Sequence, residues 1–371
     1  MKFNRYALSD LATIKYGKNQ KKVLSESGNV PIYGTGGLME YATTALYDKP
    51  SVLIGRKGTI GKVKYVEHPF WTVDTLFYTI VNTDIVLPKY LYYVMSLIDL
   101  NNYNEGTTIP SLRTETLNRL EFDIPSLVEQ ETILSCLNPI DEKIELNNEI
   151  NNNLLEQVLT LYRNRFVDTV NNERRICRAD EYFDISIGKT PPRKEPQWFS
   201  TNPKDVTWVS ISDMGTCGLY ISCSSEQLTK EAVDRHNVKI VPDNTVLLSF
   251  KLTVGRIAIT NGEMTTNEAI AHFKTDKKEI NEYLYCYLKC FNYQTMGSTS
   301  SIATAVNSKI IKGMPFVVPT DDELIDFHSV VAPMFAKIKA NQTESEKLTA
   351  VRDTLLPKLM SGELDVSDIE L

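Results

Sequence analysis

Two glycine-containing turns carry cationic side chains at matching positions. Residues 54–62 have the sequence IGRKGTIGK, and residues 249–256 have the sequence SFKLTVGR. Glycine lets the backbone approach a ligand closely, and Arg or Lys can then reach a phosphate or the O6 and N7 acceptors of guanine. A solvated hairpin tip is the alternative interpretation of both turns. The side chains that we expect to contact a ligand here are Arg56, Lys57, Thr59, Lys62, Lys251, Thr253 and Arg256.

Three further loops are rich in glycine and hydroxyl groups. Residues 106–111 (GTTIPS) and 297–302 (GSTSSI) offer hydroxyls and glycine N–H groups that suit phosphate oxygens, although they could instead cap the next short helix. Residues 34–37 (GTGG) lack the spacing of a nucleotide P-loop, and either a close approach to DNA or a plain polar surface loop would fit them. The predicted contacts in and directly after these loops are Gly34, Thr35, Gly36, Thr107, Thr108, Arg113, Ser298 and Thr299.

The sequence contains no recognisable set of catalytic or metal-binding residues. It lacks the serine-hydrolase, zinc-protease and Walker A motifs, the Asn/Asp-Pro-Pro-aromatic loop of amino-methyltransferases, and a glycine-rich loop for S-adenosylmethionine. Its four histidines are isolated and interpreted as structural. Its six cysteines include no Cys-x-x-Cys pair, so reduced thiols are expected rather than a zinc site. The pattern predicts a binding protein with neither catalytic residues nor a metal.

The charge is distributed unevenly along the chain. The net charge of the whole sequence is −7, but residues 1–120 carry +4 and residues 173–316 carry +2, whereas residues 121–172 carry −7 and residues 317–371 carry −6. The two large segments can therefore approach phosphate, and the two short acidic segments must face solvent or a protein partner. No run of 18 apolar residues or apolar leader occurs, so a cytoplasmic protein without membrane contact is expected.

The second half of the chain repeats the first, which fixes the architecture to be expected. Residues 59–63 (TIGKV) return as 253–257 (TVGRI), and the prolines and lysines of 139–144 return in 333–338, both 194 positions later. A mixed α/β unit followed by a helical unit therefore occurs twice. Strands are predicted at 52–54, 63–66, 76–81, 206–209, 246–250 and 257–259, and helices at 89–97 and 281–290.

The helical segments carry an apolar seam with alternating spacings of four and three, the heptad pattern of coiled coils. Because proline is poorly tolerated inside a helix, breaks are predicted near Pro139 and Pro333, giving helices at 127–137, 139–166, 321–332 and 334–360. Both seams turn polar in the middle, where antiparallel or crossing helices would meet; separate packing of each helix on its own domain is the alternative. The predicted seam comprises Ile140, Ile144, Asn147, Asn151, Leu154, Val158, Met334, Ile338, Asn341, Ser345, Leu348 and Leu355.

Several segments, taken in order, resemble the specificity subunit of type I restriction–modification systems. Residues 188–193 (GKTPPR) with 206–214 resemble the opening of a target recognition domain in that family, and residues 8–11 with 17–18 are the counterpart in the first half. Residues 124–130 and 316–323 resemble the start of the family's spacer helices, and residues 352–364 resemble their C-terminal end. One departure is that the first recognition domain follows almost directly on Met1, so little N-terminal spacer is expected.

The resemblance implies an α+β fold. Two mixed α/β target recognition domains in a pseudo-two-fold repeat would be separated by two long helices that form an antiparallel coiled coil. The implied boundaries are 1–123 for the first recognition domain, 124–172 for the first spacer helix region, 173–318 for the second recognition domain and 319–371 for the second spacer helix region. Further DNA contacts are expected from Lys189, Thr190, Arg193, Ser210, Asp213 and Asn267.

The resemblance also implies a non-catalytic reader of double-stranded DNA. Each domain would bind one half of a bipartite, asymmetric target, and the helices would set the gap and dock two modification subunits. Those subunits would carry S-adenosylmethionine and flip out the target adenine. A restriction subunit that uses ATP and Mg²⁺ for translocation could join them, and this chain would hold no cofactor. A self-contained DNA methyltransferase and a coiled-coil scaffold without a DNA role are the competing hypotheses.

Overall fold

A computed structural model describes residues 1–169, 171, 174–296 and 307–366. The chain divides into two compact units, of which the first contains residues 1–144 and 347–371 and the second contains residues 145–346. Each unit therefore holds one α/β domain together with parts of both long helices. Among the described residues, no helix combines the length and apolar character needed to cross a membrane.

The first half of the chain contains nine strands and four α-helices among its described residues. The elements are β1 (Asn4–Ala7), α1 (Leu8–Leu11), β2 (Ala12–Tyr16), β3 (Val30–Gly34), β4 (Gly37–Ala42), β5 (Ser51–Gly55), β6 (Val63–Val66), β7 (Trp71–Thr72), β8 (Leu76–Val81), α2 (Pro88–Ser96), α3 (Thr114–Asn118), β9 (Glu121–Ile124) and α4 (Leu127–Tyr162). The α/β domain of the first unit is built on a four-stranded antiparallel sheet with the order β2-β8-β5-β6. A second sheet has the order β4-β3-β7, and β1 pairs with β9. The three strands predicted for this half and the helix at 89–97 are confirmed.

The second half of the chain repeats this mixture of strands and helices. The elements are β10 (Arg175–Arg178), α5 (Ala179–Tyr182), β11 (Asp184–Ile187), β12 (Phe199–Ser200), β13 (Val206–Val209), α6 (Asp213–Thr216), β14 (Tyr220–Ile221), β15 (Glu226–Leu228), α7 (Lys230–Arg235), β16 (Val246–Ser249), β17 (Ile257–Thr260), β18 (Thr265–Thr266), β19 (Ile270–Lys274), α8 (Asn281–Cys290), α9 (Ser308–Lys312), β20 (Pro315–Val318) and α10 (Asp321–Ser361). The α/β domain of the second unit contains a five-stranded sheet with the order β11-β19-β16-β17-β14, a four-stranded sheet with the order β12-β15-β13-β18, and the pair β10-β20. The predicted strands and helix of this half are also confirmed.

The sequence repeat is also a repeat of sheet topology. The order β2-β8-β5-β6 in the first unit matches β11-β19-β16-β17 in the second. Strands β5, β6 and β8 begin 194 or 195 positions before β16, β17 and β19, respectively. In both units the segment between the two hairpin strands, β5–β6 or β16–β17, is the cationic turn identified from the sequence.

The long helices begin at repeat-related capping boxes. Ser126 Oγ accepts from the backbone N–H of Glu129, whose carboxylate accepts from the N–H of Ser126 at 2.9 Å. Thr320 and Glu323, 194 positions later, make the same pair of bonds at 3.3 and 3.0 Å. Each box satisfies two N–H groups that a helix start leaves without partners. Helix α10 ends as predicted before Gly362, whose φ of +77° suits glycine.

The predicted breaks at the two prolines are wrong. Helix α4 runs unbroken through Pro139, and α10 runs unbroken through Pro333. A proline inside a helix costs about 3 kcal/mol, because it removes one hydrogen bond and crowds an earlier carbonyl. Both prolines are exposed, whereas Leu137, two residues before Pro139, and Phe335, two residues after Pro333, are buried. Burial of a large apolar side chain contributes about 1.5–3 kcal/mol, so packing close to each proline offsets its cost.

Within each unit the long helices pair in antiparallel directions. In the second unit, Asn147 contacts Ser345, whereas Asn151, further along α4, contacts the earlier residue Asn341 of α10. In the first unit, the guanidinium of Arg352 donates to Asp141 at 3.0 Å. A later position in α10 thus again faces an earlier position in α4. The antiparallel arrangement is therefore confirmed. All twelve predicted seam residues are buried or half-buried.

Candidate nucleic-acid interface

The cationic turn of the first unit divides into a fixed part and an exposed part. Arg56 donates from Nη1 to the carbonyl oxygen of Asp74 at 2.8 Å, and its guanidinium lies 5.0 Å from the centre of the Tyr16 ring. These contacts hold the side chain at the end of the sheet where β2 and β5 finish and β8 begins. Lys57 and Lys62, by contrast, are exposed on the same turn. The lysines are therefore the groups of this turn best able to meet an anion.

The hydroxyl-rich loop of the first unit lies against this turn. The N–H of Gly58 donates to the carbonyl of Pro110 at 2.9 Å, and the N–H of Leu112 donates to the carbonyl of Arg56 at 2.9 Å. Thr107 and Thr108 are exposed beside it. Arg113 is exposed but forms an ion pair with Glu105 at 3.1 Å. Two loops far apart in the sequence thus form one exposed surface.

The glycine loop at 34–37 joins the same region. A cleft of about 280 Å³ is lined by Gly34, Thr35 and Gly36 of this loop and by Thr59 and Lys62 of the cationic turn. Three predicted loops of the first unit are therefore neighbours.

The same cleft contains a lysine that sequence reasoning missed. The ammonium of Lys64 lies 4.1 Å from the centre of the Tyr33 ring, and burial lowers the pKa of Lys64 below its ordinary value. Lys64 occupies a strand position, where an outward-facing lysine is unremarkable in sequence. Its only sequence signal is that it follows the cationic turn by two residues.

The cationic turn of the second unit has the same division. Arg256 is half-buried, and its Nη1 donates to the carbonyl of Ile211 at 2.6 Å. Its guanidinium packs on Gly215, where a Cβ would approach Nη1 within 2.4 Å. Lys251 and Thr253 are exposed at the tip of the turn. Arg256 thus fixes the base of the turn through contacts within the protein, and the two residues at the tip face solvent.

The segment 188–193 lies on the same side of the second unit as this turn. Thr190 Oγ1 donates a hydrogen bond to Glu268, whose carboxylate is influenced electrostatically by both Lys251 and Arg193. Burial raises the pKa of Glu268, but the Thr190 hydrogen bond and these cations more than compensate and leave it below the ordinary value. The structure therefore brings together the two predicted segments of this domain.

Two cations of this segment are already engaged within the protein. Arg193 donates to both carboxylate oxygens of Glu226 at 2.9 and 2.8 Å, and its guanidinium lies 4.7 Å from the Trp208 ring. Lys189 Nζ donates to the carbonyl of His236 at 2.5 Å. A bidentate, ring-stacked guanidinium is pre-organised and loses little freedom, which suits a structural role. Both residues would have to give up these contacts to meet DNA directly.

The remaining predicted contacts of the second unit form local structure. Asp213 accepts from the N–H and the hydroxyl of Ser210 at 2.8 and 2.6 Å and from the N–H of Ser225 at 3.0 Å. Burial raises the pKa of Asp213, but these hydrogen bonds outweigh it and hold the pKa below its ordinary value. Asn267 accepts from the N–H of Ala269 at 3.1 Å. Ser298 and Thr299 lie outside the described residues.

Comparison with known proteins gives one consistent answer. A family model described as the type I restriction modification DNA specificity domain matches residues 2–156 and, a second time, residues 175–350. The chain is 27% identical to the type I restriction enzyme MjaIX specificity subunit of Methanocaldococcus jannaschii, over 87% of this chain and 80% of that protein. It is 22% identical to the HindI specificity subunit of Haemophilus influenzae, over 82% of this chain and 84% of that protein.

A solved structure has the same fold. The crystal structure of a type I restriction–modification S subunit from M. genitalium matches 97% of this chain and 96% of its own, with a TM-score of 0.52 and 17% sequence identity. The two matches of the family model coincide with the two copies of the repeat.

Proposed function

The chain belongs to the type I restriction modification DNA specificity family, and we propose that its two α/β domains recognise the two halves of an asymmetric DNA target. The supporting observation is that a cationic turn occurs at the same place in each domain, with one residue at its tip that differs between the two. Lys57 and Thr59 are matched by Lys251 and Thr253, but Gly58 is matched by Leu252. Similar backbones with different tips would bind phosphate in similar ways and read different bases.

We propose further that the acidic long helices dock two modification subunits. Residues 121–172 and 317–371 carry net charges of −7 and −6, and Glu142, Glu145, Glu149 and Glu156 are all exposed along α4. Such a surface would repel the DNA backbone and attract a basic protein face. The docked subunits would supply S-adenosylmethionine and the adenine-binding pocket. This chain would supply only the recognition of the target sequence, and restriction subunits that use ATP and Mg²⁺ could join the same complex.

The experiment is a reconstitution with a sequence readout. The purified chain would be incubated with DNA and S-adenosylmethionine, alone and with its modification subunit, and methylated positions would be mapped. We expect methylation only in the complex, at sites made of two short fixed sequences separated by a fixed gap. Methylation by the lone chain would instead make it a self-contained methyltransferase. Methylation at the same sites without this chain would leave it a scaffold without a role in DNA recognition.

A further inference from the structure

Leu252 occupies a position that is unfavourable for both its side chain and its backbone. Leu252 is 98% exposed at the tip of the β16–β17 turn and has a φ of +59°. The N–H of Thr253 donates to the carbonyl of Lys251 at 2.6 Å, which closes a three-residue turn around Leu252. A left-handed conformation is strained for a residue with a branched side chain, and turns of this kind are rare. Exposure leaves the apolar surface of Leu252 in water as well.

The base of this turn is fixed by several hydrogen bonds. Ser249 is fully buried at the base of the turn, and its hydroxyl donates to the carbonyl of Thr253 at 2.6 Å. The same oxygen accepts from the N–H of Arg256 at 3.0 Å, and the N–H of Phe250 donates to Ala269 at 2.9 Å. A strained residue persists only where its surroundings determine its conformation in this way. The leucine therefore projects from a clamped base.

The equivalent position in the first unit is occupied by a glycine, which has no side chain. Gly58 lies 194 positions before Leu252, at the same place in the first turn, and has a φ of +86°. Glycine adopts this conformation without strain. Among the residues that the structure describes, none has an atom within 4 Å of where a Cβ on Gly58 would be, so crowding does not explain the glycine. The two turns therefore share a positive φ at this position and differ in whether the residue there carries an apolar side chain.

We propose that Leu252 makes an apolar contact with a nucleobase in the half-site recognised by the second domain, an inference that rests on the proposed function. Lys251 and Thr253 flank it with a cation and a hydroxyl, the groups that bind phosphate on either side of a base contact. Apolar side chains contact DNA bases either at the thymine methyl group or by insertion between two base steps. The first domain, with Gly58, has no equivalent contact.

The test compares three variants at one position. Leu252→Gly removes the side chain, Leu252→Asn keeps a residue that tolerates the left-handed region but is polar, and Leu252→Met keeps the apolar character. The wild-type chain and each variant, in complex with the modification subunit, would be used to select binders from a pool of duplexes with randomised sequence. We expect the Gly and Asn variants to lose preference at one or two adjacent positions of one half-site. Affinity for the wild-type site should fall roughly tenfold, and the Met variant should remain close to wild type.

The matched control is Asn244→Gly. Asn244 has a φ of +54° just before β16, at the opposite end of that strand from Leu252. The Asn244→Gly substitution places glycine at a left-handed position without removing an apolar side chain. The DNA sequences that this variant selects should therefore be those of the wild type. Leu252→Gly should not lower the melting temperature, because it relieves strain. Weaker DNA binding with intact stability is a combination that a purely structural role would not produce.

Two modified duplexes distinguish the kinds of base contact. Replacing thymine by uracil at the affected position removes only the methyl group, and 2-aminopurine placed beside it reports unstacking by its fluorescence. A response in either experiment that disappears in Leu252→Gly supports the inference. If the wild-type complex selects a two-part site and Leu252→Gly selects the same site with the same affinity, this inference is wrong and the proposed function stands. If the wild-type complex selects no two-part site, both fail.

Discussion

Asn341 of α10 donates a hydrogen bond from Nδ2 to Oδ1 of Asn151 in α4 at 2.9 Å, with both side chains buried. The residue 194 positions before Asn341 is Asn147, which donates to Oγ of Ser345, the counterpart of Asn151, at 3.2 Å. The two hydrogen bonds are therefore related by the internal repeat, as equivalent contacts are across a two-fold axis. A buried polar pair that requires its partner is suited to fix the register of a helix pair.

Replacing one member of this pair should destabilise the protein more than replacing both. Asn151→Leu leaves the amide of Asn341 buried without its acceptor, which should lower the free energy of unfolding by about 1–3 kcal/mol. The double variant Asn151→Leu, Asn341→Leu removes both polar groups and should recover most of this loss. Urea unfolding of the two single variants and the double variant provides the measurement.

The control for this comparison is Asn153→Leu, two residues away on the exposed side of α4. Its free energy of unfolding should stay within about 0.5 kcal/mol of wild type. If the double variant loses as much free energy of unfolding as the two single variants lose together, the two asparagines act independently.

The ion pair between Arg352 and Asp141 has an apolar counterpart. Residues 194 positions away are Val158 and Phe335, which are both part of one buried cluster in the second unit. The pair itself is about three-quarters buried and includes a hydrogen bond from the Tyr93 hydroxyl to Asp141. The two helix contacts are related by the repeat, but the one in the first unit is an ion pair and the one in the second unit is apolar.

Arg352→Met should therefore cost stability that a typical surface pair would not. We expect a loss of about 1 kcal/mol, since solvent still screens part of the interaction. Arg5→Met, which breaks the more exposed pair with Glu121, is the matched control and should change stability by much less. Unfolding at low and at 1 M salt would be compared. Equal effects of the two substitutions would mean that the Arg352 pair is only a surface contact.

The sequence predicted the positions of the turns and of the polar seam, because glycines, cations and the repeat are visible in it directly. The heptad spacing and the repeat predicted that the polar centres of the two seams meet, but not which asparagine contacts which residue. The engagement of Arg193 with Glu226 and of Arg256 with Ile211 could not be predicted, because folding brings these partners together from distant segments. The unbroken helices at Pro139 and Pro333 depend on tertiary packing for the same reason.

A buried histidine should make the protein sensitive to mild acid. His272 is fully buried between the hydroxyls of Ser186 and Thr266, at 3.0 and 2.7 Å. Burial, with a smaller contribution from the Lys274 cation, lowers the pKa of His272 to about 3. Between about pH 6.5 and 3 the unfolded chain therefore binds a proton that the folded chain does not, so stability is complete above this window and falls as pH decreases through it.

The effect should be measurable before most carboxylates titrate. Between pH 7 and pH 5 this single group should lower the free energy of unfolding by about 2 kcal/mol. His272→Gln would be less stable at pH 7 but should lose about 2 kcal/mol less than wild type on going to pH 5. The exposed His68, changed to Gln, is the control and should keep the wild-type slope. Parallel pH profiles for wild type and His272→Gln would contradict the assignment.

The two cations of the second turn should differ in what their removal affects. Lys251→Ala removes an exposed charge, so we expect unchanged stability and a salt dependence of DNA binding reduced by about one ion. Arg256→Ala leaves the carbonyl of Ile211 without its donor and should lower the free energy of unfolding by about 1–3 kcal/mol. Lys57→Ala in the first turn should behave like Lys251→Ala. Unchanged DNA binding in both lysine variants would identify the turns as solvated tips.

The antiparallel register determines how a test of the helices as a spacer must be built. Seven residues inserted after Asn151 in α4 must be matched by seven inserted before Asn341 in α10, because these two positions face each other. The contacts from Asn147 to Ser345 and from Asn151 to Asn341 then keep their partners on the side of the first unit, and the heptad pattern continues beyond. The insertion lengthens the helix pair by about 10 Å, at 1.5 Å per residue.

If the paired helices set the distance between the half-sites, the gap in the methylated sequence should lengthen by about three base pairs, at about 3.4 Å each. Both half-site sequences should stay the same, since no residue of either turn has changed. Rotation about the duplex must also be matched, so weaker activity is compatible with the hypothesis. The control carries the insertion in α4 alone, which mismatches the seam and should lower stability. An active double insertion with an unchanged gap would show that the helices do not measure the spacing.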